Sequence, residues 1–208
     1  TTYFEPFDVA RRFQTLDLMT GGRAAWNVVT SLNDGEAHNM GKDAHLEHDF
    51  RYDRADEFME VVLGHWDTWE DGAVIADKKS GRFADPAKVK RLDHDGKFFK
   101  SRGPFTVPRA SPGHAARTQA GPPGRGQPIA ARWGEVIFTA ARNVAAAREG
   151  YAAVRNEAAK AGRDPDQMFL CNLTTPVCGA TKAEAEDKMA LINKLPLEID
   201  ALSLLAEA

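Results

Sequence analysis

The sequence predicts an α/β fold built on a parallel sheet, because segments with strand character alternate with segments of helical periodicity. About four strand–helix units can be counted, and consecutive units of this kind pair their strands in parallel. A single stretch, at about 70–109, interrupts the alternation, since it is rich in Gly, Pro and Asp and has neither period. A closed eight-stranded barrel takes about 250 residues, so the 208 residues here are expected to hold part of one.

The first half of the chain supplies a helix, a strand and a second helix. The first helix is predicted from Phe7 to Met19, and the Gly-Gly pair that follows ends it. The strand "AAWNVV" comes next. A longer helix is predicted from about Arg51 to Trp69, because apolar residues fall on one of its faces: Tyr52, Ala55, Met59, Val62 and Trp66.

The second half alternates more regularly. Strands are predicted at "RTQAG", "EVIFTAA" and "MFLCNLTTPVCG", separated by a short helix near "PIAARWG" and an Ala-rich helix from about Asn143 to Ala161. The last helix, "TKAEAEDKMALIN", begins with Thr181 as its N-cap, and Glu184 completes a capping box. The two cysteines, Cys171 and Cys178, would point to opposite faces of one strand, so neither a disulfide nor a zinc pair is expected, and both are interpreted as buried thiols.

Composition restricts the classes of protein that remain. The chain is 43% hydrophobic and 27% charged, with a formal net charge of -3 at pH 7, which is typical of an ordinary globular protein. It has no basic excess that would indicate a nucleic-acid partner. No apolar stretch approaches the roughly 18 residues of a membrane-spanning helix, and the first residues form no signal-peptide pattern. The sequence therefore predicts a cytoplasmic protein without a nucleic-acid or membrane partner.

Polar side chains interrupt and follow the first predicted strand. Asn27 lies inside "AAWNVV", and Thr30 and Ser31 come directly after it. A buried strand is normally apolar throughout, so a polar side chain within it must be paired or directed at a ligand. Ligands gather at the carboxyl ends of parallel strands, where these three residues fall. The alternative is that Asn27 fixes a neighbouring loop while the two hydroxyls cap the turn.

His48 and Tyr52 form a second candidate pair. They are four residues apart and share one helical face if the helix begins before Tyr52. A tyrosine can bury its ring and offer its hydroxyl to a ligand, and a histidine one turn earlier can donate to an anion. The pair could equally cap the start of the helix. His45 and His48 have a spacing that suits a metal ion, but no third ligand is nearby, so a metal site is not predicted.

The stretch "QAGPPGRGQPIAAR" joins a predicted strand to a predicted helix and is rich in glycine. Such a loop can bind a phosphate through its main-chain N–H groups and the positive end of the helix. Pro122 and Pro123 have no N–H group. Gly124, Arg125 and Gly126 would therefore have to supply most of the contacts.

Several of these segments occur together in one order: "GRAAWNVVTSLNDGEAHNMG", "HLEHDFRYDRADEFMEV", "FADPAKVKRLDHDGKFF", "RGPFTVPR" and "QAG". In this order they resemble the bacterial luciferase-like flavin monooxygenases of the nitrilotriacetate monooxygenase group, and most closely the dibenzothiophene-sulfone monooxygenase type. The resemblance extends from Thr1 to about Thr181. Its first two motifs are long enough to be specific.

The resemblance implies a TIM (β/α)₈ barrel that binds FMN in its reduced form, FMNH₂, which a separate NADH-dependent flavin reductase supplies. It implies that O₂ reacts with the flavin and that the resulting flavin peroxide oxygenates a small organic substrate. A sulfone or another organosulfur compound is expected first, because the motifs most closely resemble the sulfone type. Aminopolycarboxylates and long-chain hydrocarbons are substrates of other members. The flavin carries this chemistry, so no catalytic side chain is assigned.

The resemblance and the glycine-rich loop together give a set of candidate cofactor-binding positions in this chain: Thr2, Asn27, Ser31, His48, Tyr52, Gly121 and Arg125. Asn27 and Ser31 would face the isoalloxazine ring. His48 and Tyr52 would lie around the phosphate and the ribityl chain, and Thr2 would lie close to another flavin contact. The remaining two positions belong to the glycine-rich loop.

Departures from the family pattern bear on activity. Family members have further barrel strands on both sides, so residues 1–208 are interpreted as one incomplete luciferase-like domain. Pro123 stands where relatives have a serine that holds the flavin phosphate, and Leu32 stands where some have a catalytic histidine. Arg117 falls in a barrel strand that is apolar in relatives. A truncated, non-catalytic flavin- or partner-binding relative is therefore the alternative, and exposed strand edges predict a homo-oligomer.

Two expectations concern the three-dimensional structure. Asn27 and Ser31 should lie at the carboxyl end of a central parallel strand, away from the face that helices cover. Segment 70–109 should form a flap over the strand ends rather than part of the barrel wall. Within it, Phe98 and Phe99 are expected to pack against the protein rather than to contact a substrate.

Overall fold

The computed structural model describes residues 1–109, 113–120 and 124–207, without the side chains of 204–207. The described chain divides into two compact units. The first contains Thr1–Ser31 and Leu46–Asn172, and the second contains Leu32–His45 and the chain from Leu173 onward. Every described residue of the predicted cofactor site lies in the first unit.

The helices and strands of the first unit are, in chain order, α1 (Pro6–Thr20), β1 (Ala25–Asn27), α3 (His48–Trp66), β2 (Val74–Asp77), β3 (Arg82–Ala84), β4 (His94–Asp95), β5 (Lys100–Ser101), β6 (Ala116–Ala120), α4 (Gly126–Trp133), β7 (Val136–Thr139), α5 (Val144–Lys160) and β8 (Phe169–Asn172). Short 3₁₀ turns lie at Pro86–Lys88 and Pro165–Gln167. The second unit contains α2 (Asp34–Asn39), α6 (Lys182–Ile192) and α7 (Glu198–Glu207).

A four-stranded parallel sheet, in the order β1-β6-β7-β8, is the framework of the first unit. In register, Trp26 lies opposite Arg117, and Gln119 lies opposite Ile137. Residues paired in this way point to the same face of a parallel sheet. The parallel α/β class predicted from the alternation is therefore confirmed.

The two faces of this sheet differ in what covers them. The first, here called the covered face, packs against helices and carries Trp26, Arg117, Gln119, Ile137 and Leu170. The second, here called the open face, carries side chains that are exposed or half-buried: Asn27, Thr118, Val136, Phe138, Phe169 and Cys171. Residues on the two faces alternate along each strand, as the pleat requires.

The covered face of β1 belongs to a core shared by α1 and α3. Trp26 stacks on Phe13 of α1 with ring centroids 5.0 Å apart, and it contacts Phe58 of α3 at 6.2 Å. The indole Nε1 of Trp66 donates to the Ala10 carbonyl at 3.1 Å, which joins the two helices. The helix predicted from Phe7 is confirmed as α1, and it ends at Gly21, whose φ of 67° suits a left-handed cap.

The helix α3 begins three residues before the predicted start. The Glu47 carboxylate accepts hydrogen bonds from the main-chain N–H groups of Asp49 and Phe50, at 3.0 and 2.8 Å. These bonds satisfy donors that a helix start leaves unpaired, and they hold the pKa of Glu47 below its ordinary value. Glutamate is not a favoured N-cap residue, which is why the sequence pattern gave a later start.

A second core lies under β7 and β8. It joins α4, α5 and the covered face of these strands through six buried residues: Ala130, Ala131, Ile137, Val154, Ala158 and Met168. Arg117 enters this region from β6. Its Nη2 pairs with the Glu135 carboxylate at 2.9 Å, and its Nε donates to the Trp133 carbonyl at 2.9 Å. The arginine predicted to interrupt an apolar barrel strand therefore lies in β6 and is neutralised by a residue just before β7.

Segment 70–109 contains two short antiparallel pairs, β2–β3 and β4–β5, and none of its described residues joins the parallel sheet. The insertion predicted there is confirmed. Its contacts run along α1 and α3, since Phe105 packs on Phe7 at 5.7 Å and Phe99 packs on Phe58 at 5.7 Å. The described contacts hold the segment against helices, and its β4–β5 turn packs on the start of α3 through Phe98 and Phe50. The expected flap over the strand ends stays a prediction.

The second unit confirms the predicted helix start at Thr181. Its hydroxyl accepts a hydrogen bond from the N–H of Glu184 at 3.2 Å. The Glu184 carboxylate returns to the N–H of Ala180, at 2.7 Å, one residue earlier than an ideal capping box. Among the described residues, no helix is long and apolar enough to cross a membrane.

The expectation that both cysteines are buried thiols is wrong. Cys171 and Cys178 are free and exposed. The strand that was predicted to include both ends at Asn172, so Cys178 is not part of it. Cys171 lies on the open face of β8, where few described side chains cover it.

Candidate functional site

The carboxyl end of β1 carries the first predicted site residue. Asn27 is the last residue of β1 and lies on the open face, opposite in direction to the buried Trp26. The Thr118 hydroxyl of β6 donates to its Oδ1 at 3.2 Å. Among the described residues, the Asn27 Nδ2 has no hydrogen-bond partner and stays available as a donor.

The expectation that β1 is a central strand is wrong for the described sheet. There β1 is an edge strand that pairs with β6 alone. The other part of that expectation holds for Asn27, because its side chain lies away from the helix-covered face. The neighbours of an edge strand cannot be deduced from the residues of the strand itself, so the sequence pattern did not separate the two cases.

Ser31 follows β1 by four residues and has a left-handed backbone, with φ of 67°. Its carbonyl accepts a hydrogen bond from Nη1 of Arg51 at 3.3 Å. The preceding carbonyl, of Thr30, accepts from the Thr2 hydroxyl at 2.5 Å. Thr2 is buried, so its side chain tethers the main chain after β1 and does not point into open space.

His48 and Tyr52 lie on successive turns of α3, as the pattern requires. Their ring centroids are 4.8 Å apart with planes at 47°. The Nδ1 of His48 lies 2.8 Å from the Asp49 carboxylate, which fixes the orientation of the imidazole. Within the described part of the chain, the Tyr52 hydroxyl makes no hydrogen bond. The pair thus presents a phenol and a second imidazole nitrogen to a ligand.

Arg125 reaches the same turn of α3 from the start of α4. Its guanidinium forms an ion pair with Asp53 and lies 3.9 Å from the Asp49 carboxylate. Two carboxylates therefore compete for the charge that the sequence pattern assigned to a phosphate. Gly121, Pro122 and Pro123 lie outside the described residues.

A cleft of about 370 Å³ opens beside these groups, between α3, α4 and the turn that joins β4 to β5. Its lining combines aromatic, aliphatic and charged side chains: Tyr52, Asp53, Asp56, Lys97, Phe98, Arg125, Pro128, Ile129 and Arg132. Arg132 pairs with Asp56 and with Glu60, at 2.6 Å for the latter. Unlike Arg125 and Arg132, Lys97 forms no ion pair with a carboxylate among the described residues.

Glu57 holds the wall of the cleft that carries Lys97. Burial acts to raise the pKa of this carboxyl, but hydrogen bonds from His94 and from the N–H groups of Phe98 and Phe99 outweigh it. The pKa of Glu57 is consequently lowered, and it accepts at 3.1 Å from His94 Nε2 and at 2.8 Å from Phe99 N. Phe98 packs on Phe50 at 5.3 Å, in keeping with the packing role predicted for it.

The first two turns of α3 thus contact both the turn after β1 and the start of α4. Arg51 contacts the turn after β1, while Asp49, Tyr52 and Asp53 face the start of α4. Sequence reasoning found His48, Tyr52 and Arg125, but it missed Arg51 and the two aspartates. The available signal was their position in "HDFRYDRADEF", one or two residues from the residues already chosen.

This end of the sheet offers hydrogen-bonding groups beside the ion pairs that Arg125 forms with Asp53 and Asp49. An amide, a hydroxyl, an imidazole and a phenol can orient a polar planar ligand, and the unpaired donors suit an anionic group on it. Among the described residues, no cluster of three His, Cys, Asp or Glu side chains could hold a metal ion.

Comparison with known proteins identifies a family. Luciferase-like monooxygenases match residues 1–205. The chain is 47% identical over 194 residues to the dibenzothiophene-sulfone monooxygenase of Rhodococcus erythropolis, covering 93% of this chain and 43% of the relative. It is 44% identical over 195 residues to nitrilotriacetate monooxygenase component A of Aminobacter aminovorans, covering 94% and 43%. A crystal structure of riboflavin lyase with modified FMN and riboflavin superposes with a TM-score of 0.84 at 37% identity, over 91% of this chain and 42% of that chain.

The chain spans less than half the length of these relatives. The parallel sheet and its helices have the architecture of the luciferase-like TIM barrels, of which the 208 residues form a part. The resemblance drawn from the ordered motifs is confirmed, because the match runs through nearly the whole chain at high identity. On these grounds the chain belongs to the luciferase-like monooxygenase family.

Proposed function

We propose that this chain is the flavin-binding part of an FMNH₂-dependent two-component monooxygenase. In this proposal a separate NADH-dependent flavin reductase supplies reduced FMN, and O₂ and a small organic substrate are consumed. An organosulfur compound such as a sulfone is the first substrate class to test, because a relative 47% identical is named for a sulfone. The family match over residues 1–205 supports treating both compact units as one domain.

The observation that carries the proposal is that α3 contacts both the turn after β1 and the start of α4. Its first turns contact the end of β1 through Arg51 and the start of α4 through Asp49 and Asp53. Ligands of parallel α/β folds bind at the carboxyl ends of the strands, where this junction lies.

The residues present fit FMN in the chemistry of their donors. Asn27 Nδ2 and the Ser31 hydroxyl can hydrogen-bond the carbonyl and nitrogen atoms of an isoalloxazine ring. The Tyr52 hydroxyl can donate to the ribityl chain or the phosphate. With the Nδ1 proton of His48 directed at Asp49, its Nε2 can accept from a ribityl hydroxyl, and it donates to the phosphate only when the ring is protonated. Arg125 would contribute little, because Asp53 and Asp49 already neutralise it. Moderate affinity for the phosphate is the expected consequence.

When bound, reduced FMN supplies the electrons and activates O₂ for transfer of one oxygen atom to the substrate. The chain's own groups orient the ring and keep water from it. The apolar side chains of the open face, Phe138 and Phe169, lie on the same side of the sheet as Asn27 and suit this second task. No side chain needs to act as a nucleophile.

The proposal is tested by binding first and by turnover second. FMN and riboflavin are titrated separately into the protein, with flavin fluorescence as the signal, and FMN is expected to bind more tightly because of its phosphate. Oxygen uptake is then measured with NADH, a flavin reductase and FMN, in the presence of dibenzothiophene sulfone or nitrilotriacetate. Product formation from the sulfone supports the proposal. Absence of binding for both flavins would contradict it.

A further inference from the structure

Arg51 is a buried arginine in the first turn of α3. It is 7% exposed and shares an inward helix face with Ala55 and Phe58. Its Nη1 donates to the Ser31 carbonyl at 3.3 Å, and its Nε is buried without a hydrogen-bond partner. Among the described residues it forms no ion pair. Such a residue is costly to bury, so its contact with Ser31 needs an explanation.

Ser31 has a backbone conformation that is unfavourable without a stabilising contact. Its φ of 67° lies in the left-handed region, which an L-residue with a side chain adopts at a disadvantage of roughly tenfold or more. The other described non-glycine residues with positive φ, Ala76 and Asp93, lie in segment 70–109. Ser31 is therefore the strained position at the end of β1, and the Arg51 hydrogen bond is made by the strained residue itself.

We propose that Arg51 is a positioning residue that holds Ser31 in the left-handed conformation. In doing so it sets the direction in which the chain after β1 presents the Ser31 hydroxyl. Arg51 touches no ligand in this role. The consequence for flavin rests on the proposed function, whereas the coupling between Arg51 and Ser31 does not.

The size of the effect follows from the conformational preference. Without Arg51, the left-handed form of Ser31 should fall to roughly a tenth of the population. Because the apparent Kd rises as the competent fraction falls, FMN binding should weaken about tenfold. Glycine adopts positive φ about as readily as negative φ. In a Ser31→Gly chain, loss of Arg51 should therefore weaken FMN binding by less than about threefold.

The experiment is a cycle of the full chain with Arg51→Met, Ser31→Gly and the double variant. Each is titrated with FMN by fluorescence, and its urea midpoint is measured separately. Arg51→Lys keeps one donor and should recover part of the FMN affinity lost in Arg51→Met. Ser31→Ala removes the hydroxyl but keeps the strain, so the midpoint loss caused by Arg51→Met should persist in that chain.

Arg163→Met is the matched control. This arginine also donates to main-chain carbonyls, of Ala131 at 2.8 Å and Gly134 at 2.6 Å, but at the covered side of the sheet. Its replacement should lower the urea midpoint in serine and glycine chains alike and should leave the FMN Kd unchanged. A purely structural Arg51 would behave in the same way.

The outcomes separate the two proposals. Equal effects of Arg51→Met in the serine and glycine chains, on both FMN affinity and urea midpoint, would overturn the positioning role. If no variant, including the parent chain, binds FMN, the proposed function fails, and the midpoint cycle alone decides the coupling. A smaller midpoint loss in the glycine chain supports the role of Arg51 in that case.

Discussion

The covered and open faces of the parallel sheet use polar residues in opposite ways. On the covered face, Arg117 is almost fully buried and each of its bonds goes to the protein, to Glu135 and to carbonyls. On the open face, the Asn27 side chain accepts one hydrogen bond, from Thr118, and its amide NH₂ has no partner among the described residues. A polar residue in a strand therefore indicates a ligand site only when its donors remain unused by the protein.

The largest expected difference between the faces is hydrophobic. Trp26→Ala should lower the free energy of unfolding by about 3–5 kcal/mol, because it removes a buried aromatic that stacks on Phe13. Phe169→Ala on the open face should cost less than about 1 kcal/mol, since Phe169 is 68% exposed. Urea denaturation of both variants measures the contrast. A similar cost for the two would show that the open face is covered in solution.

The stability of the helices that pack on the covered face should depend on pH, because His65 of α3 is buried. Burial, with a smaller contribution from the charge of His94, lowers the pKa of His65 to about 4. The unfolded chain then binds more protons than the folded chain between pH 6.5 and about 4, so the free energy of unfolding falls as the pH is lowered through that range. The loss attributable to His65 should reach about 3 kcal/mol.

His65→Gln isolates this contribution from those of the other histidines. The difference in stability between parent and variant should shrink steadily from pH 7 to pH 4, measured as urea midpoints. A difference that stays constant with pH would mean that His65 titrates normally in the folded chain.

Charge on the covered face gives the next effect. Arg117→Met leaves Glu135 without its partner, and the expected cost is about 2 kcal/mol, less than for a fully buried pair because Glu135 is partly exposed. Asn27→Ala should cost under about 1 kcal/mol, since it removes an exposed hydrogen bond. The double variant Arg117→Met/Glu135→Gln should lose less unfolding free energy than the two single variants lose together. Strict additivity in that cycle would argue against the ion pair.

The sequence predicted local features of the helices better than it predicted which side chains are buried. The Gly-Gly stop of α1, the apolar face of α3 and the Thr181 cap are local features, and each is where the pattern placed it. The burial of Cys171 was wrong because it depends on what packs against the open face of β8, which lies far away in sequence.

The same limit explains the candidate site. The spacing of His48 and Tyr52 is a property of one helix, so their ring contact could be predicted. The neutralisation of Arg125 by Asp53 joins residues 72 positions apart, and no local pattern carries it. The left-handed Ser31 was also hidden, because serine carries no sequence signal for positive φ, unlike glycine or asparagine.

The next expected effect is on FMN affinity and concerns Tyr52, whose hydroxyl is unused within the described protein. Tyr52→Phe is expected to raise the Kd about tenfold, because a hydrogen bond to a charged group contributes roughly 1.5 kcal/mol or more. With riboflavin, which lacks the phosphate, the same change should have a much smaller effect. Tyr151→Phe on α5 is the control, since its hydroxyl contacts Arg155 outside the site. An equal loss for FMN and riboflavin would place Tyr52 away from the phosphate.

The smallest expected effect concerns Arg125. Asp53→Asn removes one of the carboxylates that neutralise its guanidinium, and the freed charge should tighten FMN binding about threefold, since an exposed ion pair is worth at most about 1 kcal/mol. The gain should vanish with riboflavin and at high salt, because exposed charges are screened. Asp166→Asn frees Arg155 in the same way on α5 and should leave flavin affinity unchanged. If Asp53→Asn weakens FMN binding instead, Asp53 serves to aim Arg125 at the phosphate, and the ion pair is part of the binding site rather than a competitor for it.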